Sequence, residues 1–268
     1  MSADIRVKTQ GAVLEVTLDR PPANAITPEV GRQLHEVFCR LRDDPELRVG
    51  ILTGAGDRIF SAGWDLKMVA QASDAGTVND EVMNAPGGFG GITELWDLNK
   101  PVIAAVNGYA VGGGFEIALA ADIIIAAEHA EFFLPEMQRG FVPDAGAVQR
   151  LPRRIPYNVA VELLLTGRHM TAQEAVHWGL VHAAVPRIEL TPRAHEMAAR
   201  IAEGAPLAVE GLLEVLPAID RLSEREAFAR MKRGQSGLPT YEKMLVSEDF
   251  LEGPRAFAEK RKPVWKGR

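Results

Sequence analysis

Short apolar runs broken by turns fill the first two thirds of the chain, and helical stripes fill the rest. Ala12 to Leu18 is apolar with β-branched members and stops at Arg20-Pro21-Pro22, which predicts a strand. From Pro28 to Leu41 the residues Val30, Leu34, Val37, Phe38 and Leu41 recur at helical spacing, with Thr27 as an N-cap and Pro28 as the first helical residue. Val49 to Thr53, Pro101 to Val106 and Ile123 to Ala127 are continuous apolar runs, the pattern of strands buried on both faces. Between the last two, Gly112-Gly113-Gly114 opens the apolar segment Phe115 to Ala120, a glycine turn leading into a helix. Strands separated by helices imply a largely parallel sheet with helical crossovers.

Two stretches depart from this rhythm. Ser73 to Gly91 is small, polar and glycine-rich, the composition of a mobile loop or lid. From Tyr157 onward helical patterns dominate, interrupted by the apolar stretch Leu180 to Val185. The end of the chain, Ser247 to Arg268, is charged and amphipathic, with Phe250, Leu251, Phe257 and Trp265 as its large apolar residues.

Composition removes several classes of function. The 268 residues are 47% apolar and 25% charged, as in an ordinary globular protein, and no run approaches the roughly 20 apolar residues of a membrane span. The formal net charge of −6 argues against a phosphate backbone as the main partner. Met1 to Gln10 holds no apolar stretch of a secretory signal, and the single Cys39 excludes an internal disulfide framework, so a reducing cytoplasm is expected. Cys39 falls on the apolar face of the first helix and is expected in the core.

Three stretches could carry chemistry: Phe60 to Asp65, Asn107 to Glu116 and Leu134 to Asp144. A triple glycine at a helix start leaves free N–H groups and a favourable dipole end where an oxyanion could sit against Gly113, although a tight packed turn would use the same residues. Glu116 in an apolar helix and Glu136 after Pro135 could form a carboxylate pair working as acid and base. The sequence does not say that they meet. Six histidines lack metal-ligand spacing, so no metal site is expected; nor is there a Walker A motif, a G-x-G-x-x-G fingerprint or a G-x-S-x-G elbow.

These three stretches, in this order, resemble the crotonase (enoyl-CoA hydratase/isomerase) superfamily over essentially the whole chain from about Val13. Within it the likeness is to the subgroup acting on carnitinyl-CoA and crotonobetainyl-CoA. It rests on Ala23 to Ile26, Phe60 to Lys67, Gly112 to Glu116, Val142-Pro143-Asp144 and the tail from Glu252 to Arg268. The resemblance implies an α/β fold, a spiral of ββα repeats over residues 1–195 that holds the active site, with a C-terminal helical trimerisation part over 196–268. It implies a homotrimer or a dimer of trimers, an acyl-CoA substrate, no nucleic-acid or membrane partner, and no cofactor beyond the coenzyme A of the substrate.

By motif position, the resemblance makes Glu116 and Glu136 the catalytic pair and the N–H groups of Trp64 and Gly113 the oxyanion hole. Ala23, Ala25, Ala62, Asp65, Leu66 and Lys67 fall in the loops that would hold the coenzyme, and Phe257 and Lys260, on the C-terminal helix, would add to that site from a neighbouring subunit. Asp144 stands where ordinary members commonly have glycine. It either meets a trimethylammonium group, with Trp64 or Tyr109, or caps the following helix. The reaction implied is addition or removal of water across the 2,3 bond of an acyl-CoA. A general short-chain enoyl-CoA hydratase, an enoyl-CoA isomerase and a non-catalytic relative binding coenzyme A or RNA are the alternatives, and the presence of two glutamates favours a hydratase.

Overall fold

The computed structural model describes residues 4–68, 70 and 85–268. The expected strand at 12–18 is β2 (Val13–Leu18), paired antiparallel with an edge strand that the pattern did not announce, β1 (Ile5–Gln10). Only Ile5 of β1 is buried, so this strand carries no apolar run to reveal it. From β2 the sheet continues parallel through β3 (Val49–Gly54), β5 (Val102–Val106), β7 (Ile123–Ala127) and β10 (Ala183–Val185). Alternate side chains enter two cores. Leu14, Val16, Leu52, Ala104, Val106 and Ile124 join Leu34, Phe38 and Leu41 of α1 (Pro28–Asp43) in the larger one. Val49, Ile51, Ile103, Ala105 and Ile125 meet Leu190, Ala194 and Ala198 on the opposite face. Burial of both faces explains the unbroken apolar runs.

A second sheet runs β4 (Ile59–Ser61), β6 (Tyr109–Val111), β8 (Glu131–Phe133), β9 (Met170–Thr171). Each of β3, β5 and β7 is followed after a short turn by a strand of this sheet, so the chain winds as a spiral rather than crossing over by helices alone. Asn107, fully buried, braces one such corner: its Oδ1 accepts from Gly54 N at 3.0 Å and its Nδ2 donates to Gly56 O at 3.0 Å. The helix α2 (Gly113–Ala120) follows β6 into the interior and is apolar on all sides apart from Glu116. Thr27 caps α1 as expected, its Oγ1 accepting from Val30 N at 3.2 Å.

After β8 come a 3-10 turn at Pro135–Arg139 and the helices α3 (Ala147–Arg154), α4 (Tyr157–Thr166) and α5 (Ala172–His177). α6 (Arg187–Ala202) covers the outer face of the first sheet and runs unbroken through the expected division at 195/196. Then follow α7 (Pro206–Ile219), α8 (Glu224–Arg230), α9 (Pro239–Leu245) and α10 (Glu248–Ala258). The tail folds back onto the C-terminal end of α6, with Trp265 Nε1 donating to Glu203 O at 2.8 Å.

Of the expected loop at 73–91, residues 73–84 lie outside the described residues. Residues 89–91 form a 3-10 turn whose Gly91 packs on the backbone of Gly31 and His35 in α1. Cys39 is half-buried at the rim of α1, with Sγ 3.4 Å from His35 Nε2, rather than in the core.

Candidate active site

The first chemical stretch, 60–65, is stitched by backbone to the loop 23–27. Ala62 N donates to Ala23 O at 3.0 Å, Ile26 N to Gly63 O at 2.8 Å and Asp65 N to Ile26 O at 3.1 Å. Asn24, buried and left-handed at φ 49°, clamps the crossing. Its Nδ2 donates to Ile59 O at 3.1 Å and Phe60 O at 3.2 Å, and its Oδ1 accepts from Arg20 N. Ser61 Oγ donates to Asn24 O at 2.8 Å. Loop 23–27 therefore fixes the strand end from which Gly63 and Trp64 emerge.

Gly63 brings that strand end against the start of α2. A Cβ built on it would stand 2.7 Å from both Gly113 N and Val111 O, so no larger residue allows this approach. The N–H of Trp64 and the N–H of Gly113 thus lie on adjoining backbone, and among the described residues neither has a hydrogen-bond partner. The ring of Phe89 packs on the α-carbon of Gly113 and walls the spot. Two free amides beside one helix N-terminus can hold a developing oxyanion.

Glu116 sits in the first turn of α2, 4% exposed, and its Oε1 accepts from Ala147 N at 3.0 Å. Burial pushes its pKa up to about 7; the Ala147 N–H works against the rise, and the charges of Glu136 and Asp144 add to it. Glu136, on the 3-10 turn after β8, sets an oxygen against the α-carbon of Gly112, the residue that caps α2. Its Oε2 is buried without a hydrogen-bond partner among the described residues. Burial raises its pKa too, opposed by its own backbone N–H and by Arg139. The charge of Glu136, from the turn after β8, reaches Glu116 on the helix. An unpaired buried carboxylate oxygen beside a carboxyl that titrates near neutrality can accept and return protons.

The remaining expected residues divide. Asp65 is tied down, its Oδ2 2.9 Å from Arg20 Nη1 and its Oδ1 accepting from Lys67 N at 3.2 Å. Ala23, Ala25 and Ala62 are half-buried on the stitched loops, whereas Leu66 and Lys67 are exposed on the short helical segment 66–68. Asp144 is exposed, and the expectation that it caps the next helix fails, because Gly146 is the cap of α3 and no side chain bonds there. Tyr109 is committed elsewhere, edge-on to Phe133 with centroids 6.2 Å apart and to His169 at 6.4 Å. Phe257 is 87% exposed on α10. Lys260 stands beyond the end of that helix, at φ 54°, because α10 stops at Ala258. No hydrogen bond or ion pair among the described residues brings either to the glutamates.

Four participants went unread in the sequence: the clamp of Asn24, the wall of Phe89, the Ala147 N–H and the guanidinium of Arg150 behind it. Only Asn24 left a signal, as a buried-type amide in the Ala23 to Ile26 loop. Among the described residues no group of three or more His, Cys, Asp or Glu side chains could hold a metal ion, and no helix is long and apolar enough to cross a membrane.

Comparison with known proteins gives the family and the fold. A family model described as enoyl-CoA hydratase/isomerase matches residues 8–268. The chain is 54% identical over 268 residues to a carnitinyl-CoA dehydratase of Proteus mirabilis (strain HI4320), covering 100% of both chains. It is 50% identical over 270 residues to a protein of the same name from Salmonella typhi, again covering 100% of both. Among solved structures, the enoyl-CoA hydratase of Mycobacterium tuberculosis H37Rv superposes with a TM-score of 0.88 at 37% identity, covering 99% of each chain. That of Bacillus anthracis gives 0.87 at 35%, covering 99% of this chain and 100% of that one.

Proposed function

The chain belongs to the enoyl-CoA hydratase/isomerase family, and on that premise we propose that Glu116 and Glu136 share one water in hydrating crotonobetainyl-CoA or dehydrating carnitinyl-CoA. That it is an enoyl-CoA hydratase-type lyase, moving water on and off an acyl-CoA, follows from the family and the full-length relatives. The acyl group and the residue roles are our reading. The observation that carries it is the placement of Glu136 against Gly112, beside the first turn bearing Glu116 and the two unpartnered amides.

In the hydration direction one carboxylate takes a proton from water as its oxygen bonds to C3. The C2–C3 π electrons move toward the thioester, whose oxygen becomes an enolate. The N–H groups of Trp64 and Gly113 hold that oxygen, and the other carboxyl delivers a proton to C2. Loss of one such donor typically costs about a hundred- to a thousandfold in rate. Dehydration reverses each step. Because the charge of Glu136 acts on Glu116, their proton affinities belong to the pair, and activity requires the state in which the pair holds one proton.

Asp144 supports the betaine acyl group. Its carboxylate is exposed, uncommitted to a helix cap and close enough for its charge to reach Glu116, so a trimethylammonium tail of substrate at Glu116 would meet a negative charge. The stitched loops 23–27 and 62–67 would hold the coenzyme. Phe257 and Lys260 would reach it from a neighbouring copy in a trimer or a dimer of trimers, a reading supported by the exposure of Phe250, Leu251 and Phe257. The chemistry calls for no cofactor, and the single Cys39 suits a cytoplasmic setting.

The test compares crotonobetainyl-CoA with crotonyl-CoA by ultraviolet loss of the enoyl thioester. Preference for the betaine supports the proposed acyl group. Equal or better turnover of crotonyl-CoA reduces the assignment to a general enoyl-CoA hydratase, and turnover of neither overturns it.

A further inference from the structure

Arg150 lies one turn into α3, half-buried, and forms no ion pair among the described residues. Its Nη2 donates to Thr93 O at 2.5 Å, and its guanidinium carbon stands 5.8 Å from the Trp96 ring centroid. Its Nη1 occupies the place where a side chain on Gly146 would begin. Gly146 is the cap of α3, it accepts from Arg150 N at 2.9 Å, and the next residue, Ala147, is the donor to Glu116. A half-buried guanidinium that bonds a carbonyl instead of a carboxylate keeps part of its desolvation cost, so its charge has a role to explain.

We propose that Arg150 is a positioning residue for Glu116. The guanidinium pins the Gly146–Ala147 turn to the Thr93 carbonyl, so that the Ala147 N–H fixes one oxygen of Glu116 and the positive charge faces the carboxylate from behind. The Glu116 charge is felt at Arg150, as are those of Glu94 and the repelling Arg153. Around Glu116 stand Glu136 from the turn after β8, Asp144 from the loop before α3 and Arg150 from α3 itself. Arg150 is thus a cation coupled to Glu116, on the side of α3, against the carboxylates of Glu136 and Asp144. The kinetic half of the inference rests on the catalytic reading of Glu116; the positional half does not.

The experiment follows the ionisation of Glu116 by carbon-13 NMR of carboxyl-labelled glutamate in ligand-free protein, using Glu116→Gln to assign the signal. It compares wild type, Arg150→Met and Arg150→Lys, each with its melting temperature and its pH–rate profile on whichever enoyl-CoA the wild type hydrates. Removal of the charge in Arg150→Met raises the Glu116 midpoint by about one pH unit, and the pH–rate profile moves up with it. Arg150→Lys returns most of the shift but, lacking the planar fork that spans Thr93 and Gly146, keeps about a tenfold loss in kcat. A folded Arg150→Met protein with an unmoved midpoint overturns the proposal. If that variant does not fold, Arg150→Gln, which retains a donor for Thr93 and drops the charge, decides on the same terms. If the wild type hydrates no enoyl-CoA, the functional reading fails while the NMR titration still decides the role of Arg150.

Discussion

A carboxylate oxygen of Glu136 rests against the α-carbon of Gly112, the residue whose carbonyl accepts the Glu116 N–H at 3.0 Å. This contact joins the turn after β8 to the start of α2 and puts the second glutamate beside the first. Gly112 is left-handed there, at φ 52° and ψ −123°, a conformation that a side chain strains and that leaves no room for one.

Gly112→Ala is therefore expected to displace the Glu136 carboxylate and strain the backbone at once. Stability falls by about 1–3 kcal/mol, and kcat by about a hundredfold or more, since the two carboxyls no longer face one water. Chemical unfolding together with steady-state hydration checks both, and wild-type kcat in the alanine variant would contradict the contact.

Glu116 makes stability depend on pH in a defined direction. Its carboxyl titrates near 4.5 when free and at about 7 in the folded chain, so between those values the native state keeps a proton that the unfolded chain loses. Stability then falls as pH rises from about 4.5 to 7, by about 3 kcal/mol for a gap of about 2.5 units. Glu116→Gln is free of this loss and can still accept from Ala147 N. It should be more stable than wild type at pH 8, by about 1–3 kcal/mol, and nearly equal to it at pH 4.5, as read by urea unfolding at both values.

Asn24→Ala removes a buried amide that satisfies two carbonyls and one N–H at the crossing of loops 23–27 and 59–65. The expected cost is about 2–4 kcal/mol, since buried partners are left unpaired and alanine disfavours the left-handed backbone. Because this crossing aims the Trp64 N–H, kcat should drop while KM for the acyl-CoA changes less. A variant melting within a degree of wild type would show that Asn24 carries no such load.

Asp144→Asn keeps the shape of the side chain and removes its charge. If it faces a trimethylammonium tail, KM for crotonobetainyl-CoA rises about tenfold, as for a lost partly screened charge pair, while crotonyl-CoA kinetics stay within about twofold. Equal changes for the two substrates would remove Asp144 from substrate recognition.

How much of this was legible in the sequence depended on run length and burial. The runs read at 49–53, 101–106 and 123–127 became strands that sit between two cores and advertised themselves, and Thr27-Pro28 marked the start of α1. The second sheet did not, because β4, β6 and β8 are three residues each, too short for a period to register. The glycine triplet and both glutamates were readable as residue types, but their meeting depends on β6 and β8 lying side by side. Arg150 was invisible for a similar reason. In a helix ending Arg153-Arg154 it reads as one more surface cation, and only the fold sets it behind Ala147. Of the two readings open for Asp144, the helix cap failed because Gly146, two residues on, takes that position.

The proposed mechanism has Glu116 and Glu136 act as one unit on a single water. Its most direct test is hydration by Glu116→Gln, Glu136→Gln and the double variant, measured on the substrate that the wild type turns over best. Each single substitution should lower kcat by about a thousandfold. The double variant should be no slower than either, because a pair that shares one water is disabled by the first loss. A single variant near wild-type activity, or losses that multiply in the double variant, would contradict it.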